Sequence, residues 1–185
     1  PNLTWWGETN RYLYGLRPHE LTLLCAPTGA GKSALLASIS AQMCEQGVPH
    51  FVAPVENGDR DFLARVISAA DKKNLNNGEA VSESELNRIE QKHSRQILSQ
   101  KLFVSSHDNR VEPEEMINTL KYMNQAHGCK LALLDNLNFF LKIVSTQMER
   151  AEMDNAIHEF VMLAKKLPMH IILVVHPRKT EGGRV

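Results

Sequence analysis

The stretch Leu21-Thr22-Leu23-Leu24-Cys25-Ala26-Pro27-Thr28-Gly29-Ala30-Gly31-Lys32-Ser33 decides the fold. Its first five residues are a short β-type run that breaks at Ala26-Pro27. From Lys32 to Cys44, Leu35, Leu36, Ile39 and Met43 recur at helical spacing, so a helix follows the loop directly. Ala26 to Ser33 fit the Walker A pattern, with Ala26 where a first glycine is usual; a methyl group at the loop's entry still fits. Glycines let successive backbone N–H groups turn inward as a nest for an anion, and the helix N-terminus points its partial positive charge at the same place. In such a loop Lys32 reaches the β- and γ-phosphates and the Ser33 hydroxyl ligates Mg²⁺. A Gly-rich turn that merely joins strand to helix would give no reason for Gly31-Lys32-Ser33 in this context.

Outward from this loop, apolar runs alternate with helix-period segments, the signature of an α/β domain with a mostly parallel sheet of about five strands flanked by helices. Strands are expected at 21–25, 51–55, 102–105, 131–134 and 171–175. Pro54 cannot donate to a ladder, so the second strand is expected to end irregularly or in a bulge. Helices are expected at 60–70, from the capping-box spacing at Ser82-Glu83-Ser84-Glu85 toward Gln96, from Pro113 to Gly128, and at 148–167. Met116, Ile117, Leu120 and Met123 form the apolar stripe of the third of these, and Ile157, Phe160, Val161 and Ala164 face inward from the last. Residues 71–80 and the tail from Pro177 read as loops.

A phosphate loop binds nucleotide without specifying hydrolysis, for which partner carboxylates are needed. Leu131-Ala132-Leu133-Leu134-Asp135 is four apolar residues ending in an acid, the Walker B form. A carboxylate at the C-terminal end of a buried strand beside the loop holds Mg²⁺ through its waters; alone, it would read as a turn aspartate. The residue after it is Asn136, so the base that activates water is sought elsewhere. Glu56, ending the second strand in Pro54-Val55-Glu56-Asn57, is the candidate, against a plain helix N-terminal acid. His176, ending the fifth strand, is a candidate γ-phosphate sensor, against an ordinary strand-end histidine. Arg178, Lys179 and Arg184 form the one basic cluster read from the sequence, able to contact DNA phosphates or simply to sit in a solvated loop.

The chain has 185 residues, 43% of them hydrophobic, enough for one compact domain over 1–185. Lys plus Arg and Asp plus Glu are both 21, so a nucleic-acid contact must come from a local cluster or from several subunits together. Cys25, Cys44 and Cys129 have no metal-type spacing and read as buried free thiols in a reducing compartment. No apolar run approaches membrane-spanning length. Trp5 and Trp6 read as packing against a domain edge or a neighbouring subunit, the other reading being a stack on a base. Both ends look cut, so the chain is expected to be a fragment of a longer protein.

Gly15-Leu16-Arg17-Pro18, the loop, Glu56, Asp135 and His176 fall in the order seen in DnaB-like helicases, which have a RecA-like P-loop NTPase core. More narrowly, Leu134-Asp135-Asn136-Leu137 and His176-Pro177-Arg178-Lys179 resemble Twinkle and phage-type primase-helicases. The resemblance covers essentially the whole chain. It implies an ATP-hydrolysing motor, working on ATP or another NTP with Mg²⁺, in a hexameric ring that translocates on single-stranded DNA. It gives Lys32 and Ser33 to phosphate and metal, Asp135 to the metal, Glu56 to the base, His176 to the sensor, and the loop after His176 to DNA. The family's arginine finger and last sheet strands would lie beyond Val185, leaving the isolated fragment weakly active. A primase or other N-terminal domain and a cytoplasmic location, bacterial or phage, with the mitochondrial matrix as alternative, also follow from the resemblance. Pro18-His19-Glu20 has His where relatives often have Gly, read as a neutral turn variant. The rivals are a RecA-fold ATPase of recombinase-like or regulatory type, a small-molecule kinase, and a nucleotide-gated binding module.

Overall fold

A computed structural model of the chain describes residues 7–55, 58–71, 84, 87–88, 91–92, 101–106, 111–136 and 146–175, with side chains from 151 in the last segment. The strands are β1 (Leu21–Cys25), β2 (His50–Pro54), β3 (Leu102–Val104), β4 (Leu131–Asp135) and β5 (His170–Val175). The helices are α1 (Gly7–Leu13), α2 (Lys32–Glu45), α3 (Gly58–Asp71), α4 (Pro113–His127) and α5 (Thr146–Lys166). All strand pairs are parallel, in the order β1-β5-β4-β2-β3. The expected strand and helix positions hold to within one or two residues. Ser84, Asn87, Arg88, Gln91 and Lys92, inside the expected capping-box helix, are helical, while 72–80 and the tail lie outside the described residues.

Strand order explains where the helices sit. From β1 to β2 to β3 the chain moves across the sheet one way, and from β3 to β4 to β5 it moves back. Right-handed crossovers then place α2 and α3 on one face and α4 and α5 on the other. The core divides accordingly. Leu36, Ile39 and Met43 of α2 and Phe62 and Val66 of α3 pack with Val52, Leu131, Leu133, Ile172 and Val174. Met116 and Leu120 of α4 and Phe160 and Ala164 of α5 pack with Phe51, Ala53, Ala132, Leu134, Ile171 and Leu173. Alternate residues of the central strands thus serve opposite layers, which is why β4 and β2 are buried throughout and lack a polar face.

Two expectations need correction, and a third acquires a physical reason. Pro54 causes no irregularity: β2 stays in register with β4 through the Pro54–Asp135 pair. Val52 O accepts from Ser105 N on the β3 side and Val55 N donates to Asp135 O on the β4 side. Alternation turns the proline's missing donor toward β3, whose pairing ends at Val104, so the missing bond falls at the end of that ladder and leaves the pairing with β4 intact. Cys25 is exposed, because β1 is the edge of the described sheet; Cys44 and Cys129 are buried, and burial pushes both thiols up to about 11. His19 has φ +67°, a backbone state that glycine adopts without strain, so its neutrality rests on a contact that offsets the strain. Its ring Nδ1 lies 3.2 Å from the Lys165 carbonyl at the end of α5, and its amide donates to Met169 O at 3.1 Å.

Helix α1 was not foreseen, since none of its residues is buried and no apolar stripe marks it. At the opposite end of the sheet from the phosphate loop, two histidines begin strands. His50 Nδ1–H donates to Val48 O (2.9 Å), so its Nε2 accepts from Ser40 Oγ (2.8 Å). His170 Nδ1–H donates to Arg17 O (2.7 Å), leaving Nε2 to accept from Thr22 Oγ1 (2.9 Å). Burial holds His170 below its ordinary value and pushes His50 down to about 4. Both rings are therefore neutral buried hydrogen-bond links between a strand start and its neighbours.

Candidate functional site

The C-terminal ends of the strands make the site, as the topology of an open parallel sheet requires. β1 delivers the chain into 26–31, and α2 leaves from Gly31. Gly29 and Gly31 hold φ of +83° and +87°, which an L side chain adopts only with strain, so the loop's curl depends on these glycines. Ala30 N donates to Pro27 O at 3.2 Å and closes the turn.

Lys32, the first residue of α2, is 7% exposed. Its ammonium donates to the carbonyls of Ala26 (2.7 Å) and Pro27 (2.6 Å), the two residues that open the loop. A buried ammonium needs such acceptors. The two bonds fix the loop's entry against its exit and occupy two of the three donors, leaving one for a ligand in the loop. One residue inside the helix start, Ser33 Oγ donates to Asp135 Oδ2 at 2.7 Å. Asp135 is the last residue of β4 and is 1% exposed. It shares the alternation of Leu131 and Leu133, which face α2, so β4 aims its carboxylate at the start of that helix. A hydroxyl and a carboxylate this close are hard oxygen donors of the kind Mg²⁺ prefers.

The sequence candidates are therefore partly assembled. The structure brings Ala26, Pro27, Thr28, Gly29, Ala30, Gly31, Lys32 and Ser33 into one loop and helix start, with Asp135 against it. Glu56, His176, Arg178, Lys179 and Arg184 lie outside the described residues, as do Trp5 and Trp6. Their nearest described neighbours are in place. Val55 N donates to Asp135 O at 2.9 Å, and Val175 pairs with Cys25, the residue before the loop. Sequence reasoning did not single out Asn136 as structural, yet it is 1% exposed beside Asp135. Its only signal was a polar residue continuing an apolar strand.

A separate cavity of about 540 Å³ is lined by Glu112, Glu114, Glu115, Asn118, Thr119 and Tyr122 on and before α4. It shares no residue with the loop, and its carboxylates disfavour phosphate. Among the described residues no group of three or more His, Cys, Asp or Glu could hold a metal ion, and no helix is long and apolar enough to cross a membrane.

Comparison with known proteins agrees with this geometry. The fold is similar to the solved structure of a DnaB-like replicative helicase and its interactions with primase, at TM-score 0.80 and 14% identity. That likeness covers 99% of this chain and 47% of the other. A solved ATPase domain is also similar, at TM-score 0.79 and 15% identity, over 96% of this chain and 66% of that one. The chain thus spans about half of the first and about two thirds of the second. At these identities the likeness shows the fold. The sequence itself matches the family of the DnaB-like helicase C-terminal domain over residues 4–182, and to that nucleotide-binding family this chain belongs.

Proposed function

We propose that residues 1–185 are the single motor domain of a longer protein, a ring-forming replicative helicase that hydrolyses ATP and moves on single-stranded DNA. The observation that carries the reading is the 2.7 Å contact of Ser33 with Asp135 at the mouth of the phosphate loop. It joins the two motifs whose meeting separates an NTP-hydrolysing site from a mere Gly-rich turn.

In this reading the backbone N–H groups of 26–33 cradle the phosphates, and the remaining Lys32 donor reaches the β- and γ-phosphates. Ser33 and Asp135 would hold Mg²⁺, whose charge when bound would offset that of the phosphate oxygens. Glu56 takes the proton of the attacking water. Its support is covalent: Glu56 follows Val55, whose amide is bonded to the Asp135 carbonyl. His176 follows Val175, level with Cys25 at the loop's entry, and senses the γ-phosphate. Arg178, Lys179 and Arg184 then contact DNA phosphates. Hydrolysis is completed by a neighbouring copy in a hexamer, and a primase or other N-terminal domain completes the protein, in the cytoplasm of a bacterial or phage-infected cell.

The test is ATP hydrolysis by the full protein with and without single-stranded DNA, beside Glu56→Gln. DNA-stimulated turnover that collapses in the variant while nucleotide binding persists is the expected result. Turnover indifferent to DNA would instead mark a RecA-fold ATPase of recombinase-like or regulatory type.

A further inference from the structure

Four lysines collect at the strand-start end of the sheet, remote from the phosphate loop. Lys101 immediately precedes β3, Lys130 precedes β4, and Lys165 and Lys166 end α5 just before the turn into β5. All four are exposed. Hydrogen bonds fix their order across the sheet. His50 N donates to Lys101 O (3.1 Å), Lys130 N to Pro49 O (2.8 Å) and His170 N to Lys130 O (2.9 Å). The Lys165 carbonyl lies 3.2 Å from the ring of His19, in the turn that leads into β1. In the order β1-β5-β4-β2-β3, the cations thus stand at the starts of β1 and β5, of β4 and of β3. At about 4.8 Å per strand, the row is about 15–20 Å long.

Helix dipoles account for lysines in a last turn, as at Lys165 and Lys166, but Lys101 and Lys130 are on no helix. None of the four makes an ion pair among the described residues. The acids near this end do not neutralise the row. Glu20 is 2.9 Å from Arg17, Asp71 is 2.9 Å from Lys92, and Glu45 ends α2 on the other face of the sheet. Glu112, Glu114 and Glu115 lie at the start of α4, about 20 Å of helix away from the end that Lys130 follows. The apolar residues between the lysines, Cys129, Leu167 and Met169, are buried. Among the described residues of these turns, no large hydrophobic side chain is exposed.

A protein partner needs an apolar centre to pack against, and this surface offers none. An unpaired base needs a ring to stack on, and no exposed Phe, Tyr or Trp lies in these turns. What remains is charge alone, which a phosphate backbone takes up without regard to sequence. Charge alone favours the denser polyanion, and duplex DNA carries about one charge per 1.7 Å of axis, twice that of either of its strands. We propose that Lys101, Lys130, Lys165 and Lys166 form a base-independent contact for the phosphate backbone of double-stranded DNA. It rests on the DNA-motor reading above and adds a ligand that reading does not use, the duplex. The contact lies at the opposite end of the sheet from the nucleotide loop, so it holds DNA without touching the site of hydrolysis.

The experiment titrates a fluorescein-labelled blunt duplex against the full protein at several salt concentrations, with a labelled oligothymidylate of equal length beside it. Wild type is compared with Lys101→Ala/Lys130→Ala/Lys165→Ala/Lys166→Ala and with the matching fourfold Lys→Arg variant. The alanine variant is expected to bind duplex at least about tenfold more weakly, with a log–log salt slope shallower by about 3.6 for four lost phosphates. The arginine variant keeps affinity and slope, because the charge is what binds. Oligothymidylate binding and DNA-free ATP hydrolysis stay at wild-type values in both. Where the fourfold alanine variant has a lowered urea midpoint, Lys101→Ala/Lys130→Ala decides instead, with a slope change of about 1.8. Unchanged duplex affinity and slope overturn the proposal. An equal loss on oligothymidylate overturns it too, by making the row a single-strand site. Single-strand stimulation of wild-type ATP hydrolysis tests the motor reading by itself, so the two failures are told apart.

Discussion

Ser33 and Asp135 are separated by 102 residues of chain yet share a 2.7 Å hydrogen bond, hydroxyl to carboxylate, at the end of the central strand β4. Removing the hydroxyl tests whether that pair is the metal seat. Ser33→Ala is expected to lower ATP hydrolysis by about ten- to a hundredfold, the value of one hydrogen bond to a charged group. Phosphate release measured against Mg²⁺ concentration should show the loss only partly recovered at high metal. An unaltered metal dependence would remove Ser33 from the site.

Lys32 ties the loop's entry to its exit through Ala26 and Pro27. Lys32→Met should therefore weaken fluorescent ATP binding by about a hundredfold, through lost charge and a loosened loop together. The fold should persist, because the methionine leaves no buried charge unpaired. A urea midpoint near wild type alongside lost binding is the expected pair of results.

At His19 two effects oppose each other. The left-handed backbone costs an L-residue about 1–2 kcal/mol, while the ring's contact with the Lys165 carbonyl returns about 1 kcal/mol. His19→Gly relieves the strain and loses the contact, so urea denaturation should find it close to wild type. His19→Ala keeps the strain without the contact and should fall about 1 kcal/mol lower. Equal midpoints for the two variants would mean that the backbone is not strained here.

Stability should also carry a signature of His50. Its folded value is pushed down to about 4 from an ordinary 6.5, because burial disfavours the charged ring. The neutral ring's contribution is fully present above pH 6.5 and is lost as pH falls from there toward 4. The loss amounts to up to about 3 kcal/mol. His170, also held low by burial, acts in the same direction. Urea midpoints followed across this interval should drop in the wild type and drop less in His50→Gln. Parallel curves would assign the acid sensitivity to other groups.

What the sequence made legible follows from which signals are local. The loop from Ala26 to Ser33, the apolar run ending in Asp135 and the stripe of α4 are short-range patterns, and each lies where it was expected. Strand composition, by contrast, does not encode position in the sheet. Leu21–Cys25 and Leu131–Asp135 look alike, yet one is the half-exposed edge and the other the buried centre. That difference misled the reading of Cys25. Pro54 appeared disruptive because the early end of β3 could not be known, and the strain at His19 was invisible because its φ is set by the turn. The neutral links at His50 and His170 each need partners from other segments, Ser40 and Thr22, and no spacing announces them.

The parallel pairing of Leu21 with Ile171 has a consequence for how the molecule is made. On the described side, β1 has β5 as its partner, and β5 is the last of the five strands in the chain. The first of these five strands therefore waits for about 150 intervening residues, on the order of ten seconds at ribosomal rates, before its hydrogen bonds to β5 can form. Until then the loop at 26–33 has no seated strand behind it. Closing so long a connection is slow, so within this domain the nucleotide loop is made with the first of the five strands and acquires its shape with the last. Nascent chains that stop before β5 should carry the whole motif and bind no nucleotide.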